Sequence, residues 1–132
     1  MDIGKLKTNL DLESEGVWVE LGEGARIKVA RMNNPRHSAA LRRITKPYRR
    51  QIEAGTLNED ISYRLIGEAL AEGILLDWEG LTDNGEEIKY SPKTAKDLLT
   101  NPQLRDFRGQ VEAAATDAEQ FRLETIADAK ND

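Results

Sequence analysis

The stretch from Asn58 to Pro92 constrains the fold of this chain more than any other part of the sequence. Its first residue, Asn58, is suited to cap a helix. Apolar residues then recur at the period of about 3.6 that marks an amphipathic helix. The apolar positions are Ile61, Leu65, Ile66, Ala69, Leu70, Gly73 and Ile74. The periodicity predicts a helix over 59–77 that forms the most protected element of the domain, with Leu70 and Ile74 buried.

Two glycines, Gly67 and Gly73, lie inside this predicted helix. Each costs about 1 kcal/mol relative to alanine in a helix interior, so a structural reason for both is expected. Glycine lets a second backbone come closer than any other residue does. The pair therefore predicts that neighbouring segments pack directly on the helix at these two positions.

Two β-hairpins are predicted, one before this helix and one after it. The later hairpin turns at Asn84-Gly85, the strongest short signal for a two-residue turn. The earlier one consists of two alternating segments on either side of Gly22-Glu23-Gly24. A three-residue loop there predicts the cross-strand pairs Leu21–Ala25, Val19–Ile27 and Val17–Val29.

Prolines mark where the other helices begin or divide. Asn34-Pro35 is typical of a helix start, with the asparagine as cap. Pro47 should kink or divide this helix, and Gly55 should end it in a left-handed conformation. Ser91-Pro92 starts a short helix that runs to Thr100.

Asn101-Pro102 starts the last predicted helix, which extends over about 102–129 and would be about 40 Å long. We expect its N-terminal part to pack on the core helix near Trp78 and its C-terminal part to meet another copy or another protein. Its apolar residues follow the spacing of a helix-packing seam. They are Leu104, Phe107 and Val111 on the inner part, and Phe121 and Ile126 farther out.

The predicted fold is α+β and mainly α-helical. Residues 1–15 are polar with isolated leucines and are expected to form a flexible N-terminal arm. Residues 16–132 are expected to form a single α-rich domain, since a chain of 132 residues suits one domain.

Six cations without an intervening acid follow the first Asn-Pro pair. Two interpretations stay open: the segment binds phosphate, or it pairs with acidic groups of the protein itself or of a protein partner. The net charge of −5 favours the second, because it argues against a general nucleic-acid binder and against attachment to an anionic membrane. The cations are Arg36, Arg42, Arg43, Lys46, Arg49 and Arg50.

No pattern in the chain indicates catalysis, a cofactor or a metal ion. The chain has no cysteine, so thiolate chemistry is excluded. His37 lacks a neighbouring serine or carboxylate pattern, and the acidic turn at 83–87 lacks the ligand spacing of a calcium loop. The N-terminus has no apolar leader, and no segment approaches about 18 apolar residues. We therefore expect a non-enzymatic, soluble protein that stays where it is made.

Ordered motifs across residues 16–126 resemble the tail assembly chaperones of long-tailed bacteriophages. They are Asn34-Pro35, Lys46-Pro47-Tyr48-Arg49-Arg50-Gln51-Ile52, Leu76-Asp77-Trp78-Glu79-Gly80, Tyr90-Ser91-Pro92, Leu98-Leu99, Asn101-Pro102 and Phe121-Arg122. The resemblance implies a protein of the host bacterial cytoplasm that binds the long helical tape measure protein and keeps it soluble. It also implies that the protein helps to recruit tail tube subunits, needs no cofactor and is absent from the mature virion. The apolar residues on the outer part of the last predicted helix, Phe121 and Ile126, separately predict homo-oligomers when the client is absent.

A protein-binding role gives two candidate surfaces. One is the basic face at Arg42, Arg43, Arg49 and Arg50, and the other is the seam formed by Leu104, Phe107, Val111, Phe121 and Ile126. Two alternatives stay open. A small DNA-associated or regulatory phage protein would use the basic helix at 36–50 and would lose affinity steeply with salt. A structural neck or tail component would be found in purified virions.

Overall fold

The computed structural model describes residues 1–123 and shows a mainly helical α+β protein, as predicted. Short 3₁₀ turns precede α1, divide α2 from α3, lead into α6 and follow α6. The elements in chain order are α1 (Leu10–Glu15), β1 (Val17–Gly22), β2 (Ala25–Val29), α2 (Pro35–Thr45), α3 (Arg49–Ala54), α4 (Glu59–Gly73), β3 (Leu75–Glu79), β4 (Thr82–Asp83), β5 (Glu86–Glu87), α5 (Pro92–Thr100) and α6 (Arg105–Thr116).

Strands β1, β2 and β3 form an antiparallel sheet in that order. The first hairpin has the predicted pairs Val19–Ile27 and Val17–Val29. The prediction that Leu21 faces Ala25 is wrong, because Gly22 takes that place and the register shifts across Leu21. Glu23 and Gly24 both have positive φ, and they form a tight two-residue turn in place of the predicted three-residue loop.

The predicted helix over 59–77 is too long: α4 ends at Gly73 and the chain continues as strand β3. The residues after the helix pair with the free edge of β2, where Trp78 lies opposite Ile27 and Leu75 opposite Val29. Pairing with β2 replaces the hydrogen bonds that these residues would have made within a longer helix, so their backbone groups stay satisfied. Ile74 and Leu75 are fully buried in the strand arrangement, so the expected burial holds although the secondary structure differs.

Helix α4 packs against α2 and α5 at the two glycines, as predicted. A Cβ atom placed on Gly67 would lie 2.3 Å from the carbonyl oxygen of Leu99 in α5. One placed on Gly73 would lie 2.5 Å from the Cα of His37 in α2. Both distances are shorter than a carbon can accept, so the two helix contacts require glycine.

Asn34 caps α2 as predicted and also connects it to α4. Its Oδ1 accepts from the backbone N–H groups of Arg36 at 3.0 Å and His37 at 3.1 Å. Its Nδ2 donates to the carbonyl oxygen of Gly73 at 2.9 Å, at the end of α4. The side chain is buried, so this asparagine stabilises both a helix start and the contact between two helices.

The helix that starts at Pro35 divides where Pro47 predicts. Helix α2 ends at Thr45, a 3₁₀ turn spans Lys46–Tyr48, and α3 follows for six residues. Gly55 ends α3 in the left-handed conformation, which also agrees with the prediction. The division leaves α3 short and mostly exposed.

The prediction of one helix over about 102–129 is wrong for the described part of the chain. Helix α6 ends at Thr116, and the side chain of Asp117 accepts from the backbone N–H of Glu119 to start a new turn at Ala118–Phe121. This turn places Phe121 in the interior, where it is fully buried. The remainder of the predicted helix, including Ile126, lies outside the described residues.

Residues 1–15, which the sequence predicts to be a flexible arm, make backbone hydrogen bonds with two other parts of the chain. Asn9 caps α1, and its backbone N–H donates to the carbonyl oxygen of Phe121 at 2.7 Å. The carbonyl oxygen of Lys7 accepts from the backbone N–H of Leu123 at 3.1 Å. The backbone N–H of Arg31 donates to the carbonyl oxygen of Glu13 at 2.9 Å. These bonds hold the N-terminal segment against the turn that follows α6.

Candidate protein-binding grooves

An apolar groove of about 350 Å³ lies between the second hairpin and the start of α6. Two residues of the predicted seam, Leu104 and Phe107, line it and are partly exposed. The apolar lining, which we call the hairpin groove, consists of Leu81, Ile88, Leu98, Leu104 and Phe107. An open apolar surface of this kind accepts apolar side chains of another chain.

One side of the hairpin groove is held in place by Trp78. This buried indole donates from Nε1 to the carbonyl oxygen of Ile88 at 2.7 Å, and the ring of Tyr90 packs edge-on against it at 5.0 Å. Asn84 and Gly85 make the predicted turn with positive φ. The hairpin is therefore attached to the core through Ile88 and Tyr90, which follow β5, while its turn is exposed.

The opposite side is fixed by Arg108, a residue that sequence reasoning missed. The guanidinium is buried and lies 3.8 Å from the centre of the Tyr63 ring. It donates to the carbonyl oxygen of Tyr63 at 2.7 Å and to that of Leu99 at 3.3 Å, and Nε donates to Glu112 at 3.0 Å. One side chain thus joins α6 to both α4 and α5. The spacing of Arg108 and Glu112 by four residues was the available sequence signal.

The hairpin next to the groove carries mostly negative charge. Asp83 lines the groove, and Glu86 and Glu87 are exposed on the adjacent strand. Lys89 is the one cation in the segment 81–90. A partner that places apolar residues in the groove and basic residues beside it would match both features.

A second groove, which we call the helix groove, lies between α3 and α4. It has a volume of about 350 Å³ and adjoins a hollow of about 200 Å³ on the side of α2. Ile52 and Ile66 are 45% and 40% exposed. The apolar lining is Ile52, Leu57, Leu65 and Ile66, and the charged residues of the hollow are Arg42, Lys46, Arg49 and Glu53.

The predicted basic cluster divides into a paired part and an unpaired part. Arg43 forms an ion pair with Glu72 of α4, and the hydrogen bond from Arg43 lowers the pKa of that carboxyl. Within residues 1–123, the structure shows no ion pair for Arg42, Lys46, Arg49 or Arg50. The charge of Arg36 also contributes to the lowered pKa of Glu72, so the protein's own acidic helix accounts for Arg43 and Arg36 but not for the other four cations.

A third cleft, of about 510 Å³, lies where α2, α4 and α5 meet. Its charges are largely matched: Glu68 lies 3.7 Å from Lys96 and 3.8 Å from Arg64, and Glu72 binds Arg43. Charges that are already paired attract a charged partner less strongly than unpaired charges do. We therefore expect weaker binding in this cleft than at the unpaired cations beside the helix groove.

The structure separates the nine residues predicted to bind protein. Leu104 and Phe107 line the hairpin groove, and the four arginines are exposed on α2 and α3. Val111 belongs to the buried core cluster that contains Trp78, and Phe107 packs against this cluster, so the expectation that the inner seam packs near Trp78 is confirmed for these two. Phe121 is buried, which corrects the expectation that it points outward. Ile126 lies outside the described residues.

The single histidine has a structural position. His37 is buried at the start of α2, its Nδ1 accepts from the backbone N–H of Asn33 at 3.0 Å, and burial lowers its pKa. Within residues 1–123, no group of three or more histidine, cysteine or acidic residues could hold a metal ion.

No helix in the described part of the chain has the length and apolar character needed to span a membrane.

The fold and the grooves define a small, mainly helical α+β protein with open apolar surfaces. A family model described as YdaY prophage protein matches residues 32–131, and the chain belongs to this family. It is therefore a protein of phage origin. Comparisons with curated proteins and with solved structures gave no significant match.

Proposed function

We propose that this protein is a non-enzymatic tail assembly chaperone that binds a helical segment of the tape measure protein in the hairpin groove. It keeps this client soluble in the host cytoplasm, helps to recruit tail tube subunits and is left out of the mature virion. Membership of a prophage family and the motifs that resemble tail assembly chaperones support this proposal.

The observation that carries the proposal is the hairpin groove itself. Its walls come from three separate parts of the chain and are held by Trp78 and Arg108, yet its apolar floor stays open. An amphipathic helix presents apolar side chains at steps of three and four residues, which suits a groove of this kind. Because Asp83 lines the groove, basic residues beside the apolar face of the client would strengthen binding.

Co-expression with the tape measure protein of the same prophage tests the proposal. The wild-type protein should keep the client in the soluble fraction and co-purify with it. Leu104→Asp should lose at least ten-fold in affinity, because a carboxylate would be desolvated in the groove. Ile66→Asp, a comparable change in the helix groove, should retain the client. Retention by Leu104→Asp in a folded state, or loss by both variants alike, would contradict the assignment of the groove.

The unpaired cations on α2 and α3 keep a DNA-binding function as the second candidate. Fluorescence anisotropy with duplex DNA at near-physiological salt should show no saturable binding at micromolar concentration. Saturable binding that Arg42→Ala plus Arg49→Ala abolishes would favour the second candidate instead. Finding the protein in purified virions would favour a structural neck or tail component.

A further inference from the structure

The large apolar side chains that are exposed within residues 1–123 gather at two places. One place is the helix groove, with Ile52 and Ile66. The other is the N-terminal segment, residues 1–15, together with Leu123, whose backbone N–H donates to the carbonyl oxygen of Lys7. Its exposed members are Met1, Ile3, Leu6, Leu10 and Leu123. Residues 1–123 of one copy leave both places exposed, and the N-terminal segment lies against Phe121 and contributes no residue to the groove.

The exposed face of the N-terminal segment combines leucine with carboxylates. In α1, Leu10 is 72% exposed, and Asp11 and Glu15 are exposed beside it. The other face is partly buried, where Glu13 lies 3.6 Å from Arg31. Within residues 1–123, the structure shows no ion pair for Asp11 or Glu15. The segment is thus an apolar ridge whose negative edge is confined to α1, and Lys5 and Lys7 are exposed before it.

The helix groove has the complementary character. Its apolar floor is open at Ile52 and Ile66, and the adjoining hollow carries three cations, Arg42, Lys46 and Arg49, against one acid, Glu53. Nucleic acid would bind these cations and leave both isoleucines uncovered. A ligand that brings apolar side chains and carboxylates together uses the whole surface, and the N-terminal segment of this chain has both.

We propose that the N-terminal segment of one copy docks in the helix groove of a second copy. Ile3, Leu6 and Leu10 cover the apolar floor, and the carboxylates of Asp11 and Glu15 lie against the cations of the hollow. The two patches are different surfaces of the same subunit, so the contact is head-to-tail and can be repeated by each added copy. This inference does not depend on tape measure binding, which is assigned to the other groove.

Size-exclusion chromatography with light scattering over a range of concentrations tests the contact. The wild-type mass should rise with concentration, and added salt should shift this rise to higher concentration because screening weakens the charge pairs. Leu10→Asp and Ile66→Asp should each stay monomeric where the wild type associates. Both positions are exposed, so both variants should fold, as circular dichroism would verify.

Mixing the two variants gives the sharper result. Leu10→Asp retains an intact groove and Ile66→Asp retains an intact N-terminal segment, so the mixture should form a one-to-one complex and nothing larger. Arg49→Glu should weaken association about ten-fold, and Glu15→Arg in the same chain should restore part of the loss. The hairpin-groove variant Leu104→Asp should associate as the wild type does while it loses the client.

A wild-type protein that stays monomeric up to its solubility limit would overturn the proposal. So would variants that associate as strongly as the wild type, or a mixture of the two that remains monomeric. If the wild type is monomeric but an acidic amphipathic peptide binds and is lost with Ile66→Asp, the groove serves another protein and the self-docking proposal is wrong.

Discussion

The two halves of α4 carry the same apolar pattern but have different surroundings. In the C-terminal half, from Gly67 to Gly73, α2 and α5 come so close that glycine is required at both contacts. In the N-terminal half, Ile66 remains 40% exposed and forms part of an open groove. The apolar stripe of a helix therefore indicates which of its positions favour burial. Within residues 1–123, other segments of the chain bury only part of the stripe on α4.

The difference follows from the length of the neighbouring helices. Helix α5 spans nine residues and lies against α4 at Gly67 through its last turn. Helix α3 has six residues, because Pro47 divides the helix that begins at Pro35. A helix this short covers little of its neighbour, and the uncovered part becomes the helix groove. Pro47 thus contributes to the exposure of the helix groove, because a continuous helix would have lain differently against α4.

The largest expected effect comes from removing a side chain in the closed half. Leu70→Ala should lower the free energy of unfolding by about 2–5 kcal/mol, since the buried leucine would leave a cavity. Ile66→Ala is the matched change in the open half and should cost about 1 kcal/mol or less, because solvent already reaches that side chain. Urea denaturation followed by circular dichroism measures both. Equal losses, or a loss under about 0.5 kcal/mol for Leu70→Ala, would contradict the division of α4 into two halves.

Adding a methyl group tests the closed contacts from the other direction. Gly67→Ala and Gly73→Ala should each destabilise by about 1–3 kcal/mol, because the new Cβ atom meets the backbone of α5 or α2. Gly109→Ala is the control: no atom lies within 4 Å of its Cβ position, so the helix propensity of alanine should stabilise α6 by up to about 1 kcal/mol. Thermal denaturation of the three variants would show opposite shifts in Tm. Stabilisation by all three would mean that α2 and α5 lie farther from α4.

The smallest effect concerns His37, which packs on Gly73 in the closed half. Burial lowers its pKa, so as the pH falls below the ordinary histidine value the unfolded state takes up a proton before the folded state does. The contribution of His37 to the free energy of unfolding is fully present above about pH 6.5. It should therefore decrease as the pH falls toward the lowered pKa. His37→Asn keeps an acceptor for the backbone N–H of Asn33 and should remove this part of the pH dependence.

The imidazole signals of the single histidine give the same quantity directly by NMR titration. They should show a pKa below the ordinary value. A pKa at or above that value would remove the reason for the pH dependence, and with it this evidence that the contact between α2 and α4 excludes water.

The local signals in the sequence predicted much of the fold. Asn34 and Ser91 cap the helices they were expected to cap, and Asn84-Gly85 turns the second hairpin. Asn101 caps only the 3₁₀ turn at Pro102–Leu104, and α6 begins after it at Arg105. Each of these signals depends on interactions within a few residues. The candidate site was predicted less well, because Leu104 and Phe107 line a groove whose other walls come from distant segments. Arg108 was missed for the same reason: its backbone partners, Tyr63 and Leu99, are brought to it by the packing of three helices.

Local sequence signals were sufficient for the starts of α2, α4 and α5, the turn at Asn84-Gly85, the division at Pro47 and the two close helix contacts at Gly67 and Gly73, because steric and hydrogen-bonding limits of single residues act there. Tertiary structure alone decided where α4 ends, since Leu75–Glu79 becomes a strand when the edge of β2 offers hydrogen-bond partners. It also decided the position of Phe121, which the turn after α6 places in the interior against the N-terminal segment. An apolar residue in a periodic pattern indicates that its side chain favours burial. Only the folded chain determines which surface buries it.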